Sequence, residues 1–159
     1  MTQSPPSVAQ HLSLQRHGLR LIVLWLAWFL AMLFHVDLGL MPLFHGRSAD
    51  IHSQVSPQHL PLVFLAMFVY FLLPLLVLLI STYACTSPHP WRWRRWWAGQ
   101  VVFSWVYSVT NLAHVLADIL VPEARLDQVL LMVVMTLVGL LINREAWLCW
   151  RSLATDQSR

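Results

Sequence analysis

Lysine is missing from this chain: all ten of its basic residues are Arg. That absence excludes chemistry needing a lysine Schiff base, such as retinal binding or pyridoxal catalysis, and it excludes a phosphate-binding P-loop, whose lysine holds the phosphates. Cysteine is nearly missing as well. Cys85 and Cys149 stand alone with no C-x-x-C pair, which argues against a disulfide framework and against a quinone-linked disulfide oxidase. Charge of either sign is scarce, at 11% of 159 residues, while 58% of residues are hydrophobic. A soluble domain of this length carries about twice that charge, so the chain reads as a membrane protein.

Four apolar stretches have the length to cross a hydrocarbon core of about 30 Å. They lie at about 20–41, 60–83, 97–121 and 128–150, and predict an all-α fold, an integral membrane four-helix bundle. Residues 19–153 form one transmembrane domain, between a disordered tail at 1–18 and a short tail at 154–159. Arg16 and Arg20 before a greasy run resemble a secretory signal, but no small-x-small cleavage site follows, so the stretch reads as a retained span. Pro74 is expected to kink span two by freeing the carbonyl of Tyr70. In span four, Val129 to Ile142 covers only about 21 Å, and the helix is expected to continue past Arg144 to Trp150 while that Arg snorkels.

Arg placement sets the expected orientation, because short cytoplasmic loops collect positive charge. Eight of the ten (Arg16, Arg20, Arg92, Arg94, Arg95, Arg144, Arg151 and Arg159) fall at one end of the spans. Both termini are therefore expected in the cytoplasm, with the protein in the cytoplasmic (inner) membrane of a bacterial cell. The other end gathers five of the eight His and five of the seven acids, which reads either as a cation-attracting surface or as the by-product of charge sorting. The segment Trp91–Trp97, WRWRRWW, looks like a nucleic-acid patch but fits an interfacial anchor better, so the bilayer and no nucleic acid is the expected partner.

What the sequence does hold is a pair of similar helix endings, LFHVDLGLMP at 33–42 and LAHVLADILVP at 112–122. Ionisable groups inside membrane-length segments are costly, and they mark a functional site by default. In span three, Gln100, Ser104, Tyr107, Asn111, His114 and Asp118 recur at spacings of 4, 3, 4, 3 and 4, within an arc of roughly 80°. The inner part of that stripe is read as interhelical hydrogen bonding against Thr136, Gly139, Asn143 and Ala146 of span four. The outer part is not. Asp118 lies roughly 6 Å inside the helix end, facing the negative end of the helix dipole, so a carboxylate there wants a cation or strong donor. His114, one turn earlier, supplies a proton or shares a metal with it.

His35 and Asp37 lie two residues apart, so they point about 160° from one another on a helix and only one can join this seam. His35 continues the row of Trp25, Trp28 and Met32, and is expected inward, with Asp37 turned to a loop or headgroup water. The ligand-binding candidates are thus His114, Asp118, Asn111, Tyr107, His35 and Asp37, and the metal-ligand candidates are His35, His114 and Asp118. The endings also suggest a two-helix repeat, although spans two and four align no better than any two greasy helices.

Three functions fit this pattern. The leading one is a non-enzymatic accessory or assembly subunit of a membrane complex, partnered by other membrane subunits or by copies of itself. The next is binding or transport of a proton, metal or small cation. The third is an enzyme with a transition metal or a single b-type haem held by His35 and His114. Asp37 before Pro42, and the YSV triplet Tyr107–Val109, resemble two short pieces of the sterol-isomerase-like membrane proteins of the emopamil-binding class. That family implies an acidic partner in the second span, and Leu60 to Thr86 carries no charge, so the resemblance is not adopted.

Overall fold

The structure, a computed structural model, describes residues 8–47, 56–120 and 125–154. Four helices make up almost all of it: α1 (Val8–Phe44), α2 (Leu60–Thr86), α3 (Arg94–Leu120) and α4 (Leu126–Ala154), with a 3-10 turn at Pro90–Trp93 before α3. They alternate in direction, and α4 lies along both α1 and α3 while α2 packs on α1. Three helices, α1, α2 and α4, are long and apolar enough to cross a membrane. α3 has comparable length, 27 residues, and its polar stripe lowers its hydropathy.

The core runs the length of the bundle through Leu21, Trp25, Trp28, Met32, Tyr107, Met132, Met135, Ile142 and Cys149. Its middle is aromatic. Trp25, Trp28, Phe103 and Tyr107 meet with ring centroids 4.5 to 5.8 Å apart, in the edge-on and tilted arrangements that the ring quadrupoles favour. Outside, Leu and Val side chains of all four helices stand exposed, as a bilayer-facing surface requires.

α1 departs from expectation at both ends. It starts at Val8 rather than near residue 19, because its first turns have a surface to cover: Leu14 is buried, the Gln15 carbonyl accepts from the Cys85 thiol at 3.6 Å, and Gly18 sits against Cys85 and Trp97. At the other end the helix runs through Pro42 to Phe44 instead of stopping near residue 41. Pro42 frees the Leu38 carbonyl, and the Arg125 guanidinium donates to it at 3.0 Å, so the break in the ladder is satisfied from the α3–α4 loop. The helix then closes with the amides of His45 and Arg47 on the Pro42 carbonyl and with Gly46 at φ +68°, the left-handed cap that glycine adopts without strain.

Pro74 does the same inside α2. The Tyr70 carbonyl it frees accepts the Tyr107 hydroxyl at 2.7 Å, so α3 repairs the ladder of α2. α4 continues unbroken past Arg144 to Ala154. The Trp segment differs from a simple lipid anchor: Trp97 is wholly buried in the slot that Gly18 leaves, and Trp93 and Trp96 are half-buried against the core.

Candidate metal centre

The polar stripe of α3 divides into two parts by depth. Along the inner part its members are occupied in helix contacts: Gln100 donates to Ser81 at 3.1 Å, Asn111 to Thr136 at 2.9 Å, and Asn143 of α4 to Ser108 at 3.0 Å. Gly139 makes room for this seam, since a Cβ there would meet the Ser108 hydroxyl at 3.2 Å. Of the ligand-binding candidates taken from the sequence, Tyr107 thus donates to the Tyr70 carbonyl and the Asn111 amide nitrogen to Thr136, while the buried Asn111 Oδ1 keeps no partner.

The outer part is different. α1 brings His35 beside His114 and Asp118 of α3, with the two imidazole rings 5.5 Å apart and nearly perpendicular at 76°. The His35 Nε2 lies 3.6 Å from Asp118 Oδ2, and the His114 Nε2 lies 3.7 Å from Asp118 Oδ1. Neither distance makes a hydrogen bond. One donor atom from each residue falls within 4.8 Å of the others, and this is the grouping of His, Cys, Asp and Glu able to hold a metal among the described residues. Donors on a tetrahedral ion sit roughly 3.4 Å apart at bond lengths near 2.1 Å, so small side-chain rotations close the site.

Burial makes the arrangement costly as protein alone. His35 is buried, its Nδ1 has no hydrogen-bond partner, and neither has Asp118 Oδ2. Buried polar atoms are nearly always paired, and an imidazole that binds a metal normally has its other nitrogen held. His114 is half exposed, so the centre is open on one side.

Asp37 does not take part. It is exposed, while His35 faces inward in line with Trp25, Trp28 and Met32, because two residues on a regular helix separate the side chains by more than a right angle. The haem arrangement is not met either. Both Nε2 atoms turn toward one carboxylate, whereas a b-type haem needs its imidazoles on opposite faces of the macrocycle.

A cavity of about 380 Å³ opens beside the centre between α1, α2 and α3, walled by His35, His114, Met32, Tyr70, Phe71 and Thr110 and bordered by Val36, Ala66 and Met67. It exists because α2 and α3 touch mainly through long side chains, with Tyr70 within 3.2 Å of the Thr110 hydroxyl.

At the opposite end of the bundle the structure holds a pair that the sequence reading passed over. Glu145 of α4 is buried, accepting from His17 Nδ1 of α1 at 2.6 Å and from Arg144 at 2.9 Å. The available signal was its place on the buried row Met135, Ile142, Glu145 and Cys149. Compared with family models, curated proteins and solved structures, the chain matches none of them.

Proposed function

We propose that this chain is a multi-pass protein of the cytoplasmic (inner) membrane that binds one divalent first-row transition-metal ion through His35, His114 and Asp118, as a non-enzymatic accessory component of that membrane. The observation that carries the reading is the convergence of two imidazoles and a carboxylate within 4.8 Å at the end of the bundle. Two nitrogens and one oxygen suit Zn(II), Fe(II) and their neighbours, and three protein ligands leave a coordination position free. The Arg distribution supports an orientation with this centre on the outer side and both chain ends in the cytoplasm.

Binding is favoured over transport by the core beneath the centre. There the rings of Trp25, Trp28, Phe103 and Tyr107 close the bundle, and the seam donors are engaged between helices. The test is metal analysis of detergent-purified protein equilibrated with zinc. One ion per chain, lost in the His114→Ala/Asp118→Ala variant and retained in Asp37→Ala, is expected; equal metal content in all three overturns the reading.

A further inference from the structure

The proposed metal site and the neighbouring cavity share two residues, His35 and His114. From this we infer that the cavity takes a single-chain amphiphile with a carboxylate head, its oxygen completing the coordination of the ion and its tail lying along α1 and α2. This rests on the metal reading and deepens it.

Charge argues for the head. A divalent ion held by Asp118 and two neutral imidazoles retains one positive charge in surroundings where an unmatched charge is expensive, and a monoanionic oxygen donor removes it. The nearest other ion pair, Arg125 with Asp127 at 2.6 Å, is already closed. Shape argues for the tail. Away from the imidazoles the walls are Met32, Val36, Ala66, Met67 and Phe71, and the hydroxyls of Tyr70 and Thr110 are bonded to one another. The walls away from the imidazoles are thus mainly apolar. Val36 and Met67 are exposed on the flank of the bundle, so the opening faces the hydrocarbon side, where such a molecule resides. The volume, about 380 Å³, falls in the range of small-molecule sites.

The experiment uses the full chain in detergent loaded with Co(II), whose visible bands report the ligands of the ion. Decanoate is expected to change the spectrum at a concentration about a hundredfold below that of acetate, the difference coming from burial of the tail. In Ala66→Phe, which narrows the cavity from a position that is not itself a ligand, the cobalt spectrum is expected to persist and the preference for decanoate to vanish. Partition of decanoate into detergent is the same for both proteins, so the comparison isolates the cavity. A cobalt spectrum that decanoate leaves unchanged, that acetate changes equally well, or that responds identically in Ala66→Phe overturns this inference while the metal reading stands. Absence of any protein-bound cobalt spectrum overturns both.

Discussion

Glu145 depends for its role on where α1 and α4 meet. Its carboxylate is buried and receives two donors, His17 from 128 positions away in sequence and Arg144 beside it. Removing the carboxylate from such an arrangement leaves the part-buried His17 donor unpaired, which costs about 1–3 kcal/mol. The Arg144 head is largely exposed and returns to water at little cost, so the loss falls mainly on the His17 contact. Glu145→Ala is therefore expected to lower the unfolding free energy by about 1–3 kcal/mol. In a double-mutant cycle with His17→Ala, much of that loss is expected to be shared, and strict additivity would show that the two side chains do not act together. His35 and Asp37 make the opposite case. Their divergence is a property of a single helix, and it was legible from their spacing.

Among the elements, two proline-containing helices are completed by residues from elsewhere. Pro42 frees the Leu38 carbonyl for Arg125, and Pro74 frees the Tyr70 carbonyl for Tyr107. The sequence announces the vacancies, since a proline always removes the bond to the carbonyl four residues back. It does not name the donors, because these depend on the register between helices. The same limit explains why the spacing of α3 revealed the stripe and its inner and outer parts, yet left Tyr107 and Asn111 among the ligand candidates, since their bonds to the Tyr70 carbonyl and to Thr136 depend on that register. The Tyr70 assignment makes a specific prediction. Tyr107→Phe is expected to cost about 1 kcal/mol in the natural background. In Pro74→Ala, where a restored amide reaches the carbonyl, the same change is expected to cost little. Equal cost in both backgrounds, measured by thermal unfolding in detergent, would mean that the hydroxyl does not serve this carbonyl.

Across the whole molecule, the bundle has two ionisable ends separated by an aromatic middle. One holds His17 and Glu145, the other His35, His114 and Asp118. Composition and hydropathy made the helical membrane fold legible, because apolar length leaves few alternatives in a bilayer. The start of α1 was not legible, since residues 8–18 are polar enough to resemble a tail and become helix only by covering Cys85, Trp97 and Glu145. Both cysteines lie buried toward the His17 end, and thiolates bind the same ions as imidazoles do. The competing ligand set is therefore chemically distinct from the proposed one. X-ray absorption at the metal edge of the zinc-loaded protein reads the difference directly. A first shell of nitrogen and oxygen only, with two imidazoles, is the predicted result, and a sulfur contribution at about 2.3 Å or a shell unchanged in Asp118→Ala would contradict it.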